Sequence, residues 1–169
     1  REGMYEFFKT NADVLAGKDA AIAILAALAT RARGVDARGV GVNERRLLVS
    51  LVHSATAALV NVAQNSLVTG REASRWGNAH PNLVPYELFE ALDRPIVIAV
   101  GSDAQLVACA RSLGLKALGA DARYATNAGR LEHRAAVVGA IRERVRTRPA
   151  SVWLPALEAA GVPCGVVKP

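Results

Sequence analysis

Residues 74–105 read SRWGNAHPNLVPYELFEALDRPIVIAVGSDAQ. The second half of this stretch decides the fold class. IVIAV (96–100) is a continuous, largely β-branched run, the mark of a strand covered on both faces. With YELFEAL (86–92) before it and Asp93 at the turn, it reads as a pair of strands. SDAQLVACARSLG (102–114) follows as a helix, with Ser102 or Asp103 as its N-cap and Gly114 at its end. The first half is irregular. It carries an indole, an imidazole, two amides (Asn78, Asn82), a phenol (Tyr86) and two prolines, Pro81 and Pro85. A simple connection needs only a few turn formers, so this is a packed irregular loop or part of a binding site.

Working outward, LEHRAAVVGAIRERVRTR (131–148) is an amphipathic helix with Val137, Val138, Ile141 and Val145 on its apolar face. SVWLPALEAAG (151–161) is another, and VPCGVVKP closes the chain in extended form. DARYATNAGR (121–130) reads as a loop. On the amino-terminal side, AAIAILAALATRA (20–32) is strongly helix-forming and apolar nearly all round, which predicts burial on most sides. GVDARGVG (34–41) interrupts it, VNERRLL (42–48) is a short strand or a helix start, and Leu47 to Leu67 is a second long helix. The pattern is α/β. It divides near residue 70 into a helical part, 1–69, and a small mixed unit, 70–169.

Composition narrows the function. At 169 residues and 51% apolar, the chain can bury a sizeable core. The net charge of +6 favours anionic ligands, but the basic residues are spread along the chain with no nucleic-acid motif, so no nucleic-acid partner is expected. Neither long apolar run reads as a membrane span: Ala20 to Ala29 is too short, and Leu47 to Val68 is interrupted by polar residues. Two cysteines, Cys109 and Cys164, make neither a disulfide framework nor a zinc site, and a reduced cytoplasmic protein is the expectation. The opening REGMYEFFKTN has no initiator Met, which points to a fragment, a processed product or an incomplete sequence.

Few residues stand out for chemistry. Asp13, in NADVLAGKDAAIAILAAL, precedes an Ala16-Gly17 turn and a helix. It reads as a capping carboxylate, or as a nucleophile or base with Gly17 letting a substrate approach. His80 lies in the opening loop, His53 on a helix and His133 at a helix start; their spacing makes no metal site. Arg71, Arg75, Lys116, Arg123, Arg130 and Arg134 either solvate the surface or meet phosphate or carboxylate groups.

Taken in order, NADVLAGKDAAIAILAAL, then SRWGNAHPNLVPYELFEALDRPIVIAVGSDAQ, TNAGRLEHR and WLPALEAAGVPCGVVKP resemble the family III CoA-transferases, the CaiB/BaiF group, over about residues 11–169. The resemblance implies a partial family fold: long buried helices leading into a small α/β domain, and an interlocked homodimer in the full-length subunit. It implies CoA transfer from an acyl-CoA, with succinyl-CoA a reasonable donor, to a free carboxylic acid. Asp13 takes the position of the catalytic aspartate. Gly77, Asn78, Ala79, His80 and Pro81 take that of the flexible loop that covers it. Coenzyme A enters as a thioester substrate, with no permanently bound cofactor and no metal. An α-methylacyl-CoA racemase on the same fold and an inactive truncated chain are the alternatives. The family's amino-terminal, nucleotide-holding half and its carboxy-terminal return segment have no counterpart here, and LDRPIV replaces the common DGxIV turn.

Overall fold

The computed structural model describes residues 2–32 and 46–167. It forms two compact units, Arg1–Ala73 and Ser74–Pro169. GVDARGVG and most of VNERRLL lie outside the described residues.

The first unit is helical. Helix α1 runs over Glu2–Ala32, α2 over Leu51–Ala58 and α3 over Asn61–Thr69. α1 packs on α2, and the Ser54 hydroxyl donates to Asp19 Oδ2 at 2.5 Å between them. Three expectations are corrected here. The turn expected at Ala16-Gly17 is absent, because α1 passes straight through it. One glycine among alanines and leucines costs a helix only about 1 kcal/mol, too little to end it. The apolar 20–32 segment is not buried on most sides: Ile22, Ile24, Leu25 and Leu28 are all at least half exposed, since an eight-residue α2 cannot cover a 31-residue neighbour. The long helix expected from Leu47 to Leu67 begins only at Leu51 and breaks at Leu59–Val60, where Val60 takes φ +46°, strained for a β-branched residue.

The second unit is the α/β part. Strands β1 (Tyr86–Glu90), β2 (Pro95–Ala99) and β3 (Cys164–Val166) form an antiparallel sheet in the order β1-β2-β3. Tyr86 pairs with Ala99 and Glu90 with Pro95, so the hairpin expected around Asp93 is present. The helices are α4 (Asp103–Ser112), α5 (Lys116–Ala120), α6 (Asn127–Glu132), α7 (Arg134–Val145) and α8 (Ala150–Ala159).

Burial in β2 alternates. Ile96 and Ile98, with Val100 beyond the strand, are fully buried, whereas Val97 and Ala99 are half-buried. The expectation of equal cover on both faces is thereby corrected, in the way an antiparallel sheet with one core face requires. Those side chains meet Phe89, Leu106, Leu113, Ile141 and Leu157 in one core. Each fully buried Ile or Leu contributes on the order of 2 kcal/mol. Val137, Val138, Ile141 and Val145 of α7 are all buried, as their spacing predicts. The Ser102 hydroxyl caps α4 by accepting from Gln105 N–H, and Gly114 closes that end at φ +72°. Residues 121–130, expected as a loop, instead hold a 3₁₀ turn (Ala122–Tyr124) and most of α6, which the Thr126 hydroxyl caps by accepting from Gly129 N–H. No helix among the described residues is long and apolar enough to cross a membrane.

Candidate functional site

The loop before β1 is built from its own polar groups. Ala79 N–H donates to the Trp76 carbonyl at 3.0 Å, closing a turn over Gly77 and Asn78. Gly77 sits there at φ +63°, a conformation that disfavours any side chain, and both tip residues are exposed. Asn78 Oδ1 accepts from Leu88 N–H at 2.9 Å and His80 N–H donates to the Tyr86 carbonyl at 2.8 Å, which tie the loop to β1. The imidazole of His80 stacks on Tyr86, with centroids 5.2 Å apart and planes 13° from parallel. His80 Nδ1 accepts from Asn82 N–H at 3.0 Å. A nitrogen that accepts carries no proton, so the neutral ring is protonated at Nε2.

Helices α6 and α7 hold the rest. Asn127 Nδ2 donates to the Asn82 carbonyl at 2.8 Å, and its Oδ1 accepts from Val84 N–H at 3.2 Å. Arg130, only 1% exposed, donates from Nε to the Val84 carbonyl at 2.7 Å and from Nη1 to the Tyr124 carbonyl at 3.0 Å. Its Nη1 also meets Asp103 Oδ1 at 2.8 Å. Arg134 Nη2 donates to the carbonyls of both His80 and Pro81 at 2.9 Å, and its guanidinium lies 5.0 Å from the Trp76 ring centroid. The Val84–Pro85 peptide that ends the loop is cis. Of the two sequence readings, a packed loop or a binding loop, the packing is real. The amides, the imidazole and two of the arginines make this segment a structured surface fixed from one side.

The remaining residues are distributed as follows. Asp13 lies in the interior of α1 rather than at a helix entrance, with its side chain exposed, and Gly17 is four residues on, on the same side of the helix. Asp13 belongs to the first unit and the loop to the second. His53 is exposed on α2. His133 is half-buried edge-on to Tyr124 at 5.9 Å, not fully solvent-facing. Arg123 is bonded to Asp121 at 2.7 Å, and Arg71 and Arg75 are exposed. Lys116 lines an open concavity of about 400 Å³ with Leu118, Tyr124 and Ala140, which no predicted site residue enters. No group of three or more His, Cys, Asp or Glu among the described residues is arranged to hold a metal ion. Asn127 does not stand out in the sequence, and Arg130 stands there among cations that either solvate the surface or meet phosphate or carboxylate groups. Their signal was the position of TNAGR just before a helix whose face is core.

Residues 8–169 match CoA-transferase family III. The chain is 35% identical over 118 residues to the human protein named succinyl-CoA:glutarate CoA-transferase, covering 70% of this chain and 27% of that one. It is 33% identical over 156 residues to succinate--glutarate CoA-transferase of Agrobacterium fabrum, covering 92% of this chain and 37% of that one. Among solved structures, a CAIB/BAIF family protein from Brucella suis superposes with TM-score 0.61 at 33% identity, over 94% of this chain and 40% of that one. The chain thus spans between about a quarter and two fifths of the length of these relatives.

Proposed function

Because the chain belongs to CoA-transferase family III, we propose that it carries part of an enzyme that moves CoA from an acyl-CoA to a free carboxylic acid. The family match over residues 8–169, which takes in both Asp13 and the loop, is the observation that carries this reading. The names of the human and Agrobacterium relatives favour succinyl-CoA as donor and a dicarboxylic acid such as glutarate as acceptor.

In this reading Asp13 is the nucleophile. Its carboxylate attacks the thioester carbonyl of the donor, a mixed anhydride forms, and CoA leaves as the thiolate. The thiolate attacks the aspartyl carbonyl, giving an aspartyl-CoA thioester and releasing the donor acid. The acceptor carboxylate then attacks that thioester and expels the thiolate, which takes the new acyl group from the anhydride and restores the Asp13 carboxylate. A thioester or an anhydride is present at every stage, so no ATP is consumed. The exposure of the Asp13 side chain supports access by a large substrate. The Gly77–Pro81 loop closes over the thioester and excludes water, which protects the anhydride from hydrolysis. CoA is a substrate here, not a resident cofactor. The working form is a cytoplasmic homodimer, interlocked as the family resemblance implies.

The test is to incubate the protein with succinyl-CoA, add hydroxylamine and record the intact mass beside Asp13→Ala. A hydroxamate present in wild type and absent from Asp13→Ala is expected. Trapping that survives in Asp13→Ala, or none in a wild-type protein that turns the substrates over, rules out the Asp13 nucleophile.

A further inference from the structure

We propose that Arg134 is a positioning residue, a latch that holds the 76–81 loop in the shape in which it meets substrate. The proposal rests on the reading of that loop as substrate-covering. Three contacts converge on one guanidinium. Nη2 donates to the carbonyls of two consecutive residues, His80 and Pro81, and Cζ lies 5.0 Å from the ring centroid of Trp76 at the other end of the turn. The cation therefore grips both arms of the Gly77–Asn78 tip from the first turn of α7. Asn127 and Arg130 hold the chain further along, at residues 82 and 84, and do not substitute for it.

The electrostatics point the same way. The carbonyl oxygens of His80 and Pro81 are turned onto a positive charge and so are not offered to an approaching anionic thioester. Arg134 Nη1, meanwhile, is buried with no hydrogen-bond partner among the described residues. A desolvated donor without an acceptor costs stability. A cation kept at this place despite that cost is better accounted for by what it positions than by net stabilisation. Lysine is a poor replacement, since an ammonium that met both carbonyls would leave the Trp76 ring without the rest of the guanidinium beside it.

The test uses Arg134→Gln and Arg134→Lys in the full chain, with Arg146→Gln as a control at an exposed position. Trp76 and Trp153 are the two tryptophans, and Trp153 is buried, so acrylamide quenching reads Trp76. In Arg134→Gln the quenching constant should rise about twofold as the ring loses its cover, with a smaller rise in Arg134→Lys. The His80 amide should exchange faster in both. The kcat for CoA transfer should fall at least about tenfold while KM stays within about threefold, because misplacement lowers reaction rate more than binding. Unchanged quenching and exchange in both variants overturns the latch, whatever the kinetics. Faster quenching with wild-type kcat overturns the catalytic role of the loop, and with it the positioning claim. If the wild-type chain shows no transfer at all, this part of the enzyme is not active by itself, and quenching and exchange still decide the latch. Should Arg134→Gln not fold, Arg134→Lys alone decides, and wild-type behaviour there overturns the proposal.

Discussion

Arg130 Nε donates to the backbone carbonyl of Val84 at 2.7 Å, joining α6 to the residue that leads into β1 across 46 positions of sequence. A guanidinium 1% exposed serves two carbonyls and one carboxylate, and that carboxylate, on Asp103, is itself more than half exposed. The pair is therefore only half desolvated. Most of what Arg130 contributes lies in its bonds to the carbonyls of Val84 and Tyr124.

Arg130→Met should cost about 3–5 kcal/mol, since it strands both buried carbonyls. Asp103→Asn should cost less than about 1 kcal/mol, as expected for a partner that stays in water. Urea denaturation of the two variants measures both. Equal losses would mean that the ion pair, and not the carbonyls, dominates.

Gly129 and Gly139 make an internal contrast. A Cβ on Gly129 would run into the backbone carbonyl oxygen of Arg123, which cannot swing away as a side chain could. Gly129→Ala should lose about 1–3 kcal/mol through overpacking. Gly139 lies inside α7 with nothing near its missing Cβ. Gly139→Ala should gain about 0.5–1 kcal/mol from helix propensity. Opposite shifts in melting temperature are the expected result, and two shifts of the same sign would contradict the geometry.

What was legible in the sequence was local. The β1–β2 hairpin, the Ser102 cap and the buried face of α7 each follow from residues close together in the chain. The loop was recognisable as unusual from its residue types, but its scaffold was not. Asn127 and Arg130 reach segments 43 to 46 residues away, and nothing local marks the arginine of TNAGR as buried, because charged residues seldom are. In the first unit, Gly17 resembles a breaker in the sequence but sits inside α1. The break at Val60 has no glycine or proline to announce it.

Cys109 is fully buried on α4, and that burial pushes its thiol up to about 12, with Cys164 adding to the shift. Burial, and then the nearby Glu158, also raise the Cys164 thiol, which is half-buried on β3. At about pH 8 a thiol-specific disulfide reagent should modify Cys164 slowly and Cys109 only on unfolding. Mass mapping of the labelled peptides reads the order. Rapid labelling of native Cys109 would mean that α4 opens far more easily than its packing allows.

Two carboxylates tie stability to acid. The hydrogen bond from Arg123 brings Asp121 down to about 2, and the Ala150 N–H, donated to Asp93 Oδ1 at 2.7 Å, lowers Asp93 from 3.8. Both groups bind a proton more readily in the unfolded chain, so acid favours unfolding. Their contribution to the Ser74–Pro169 unit should be complete above about pH 4 and should drain away as the pH falls toward about 2. Asp121→Asn removes the ionisable group. It should flatten the dependence of stability on pH over that interval, and near neutrality it should lose the Arg123 pairing at small cost because the site is exposed. Asp93→Asn keeps an oxygen for Ala150 and should stay close to wild type near neutrality while losing its share of the acid dependence. Denaturant titrations at several pH values check both, and wild-type slopes in the two variants would show that other carboxylates govern acid unfolding.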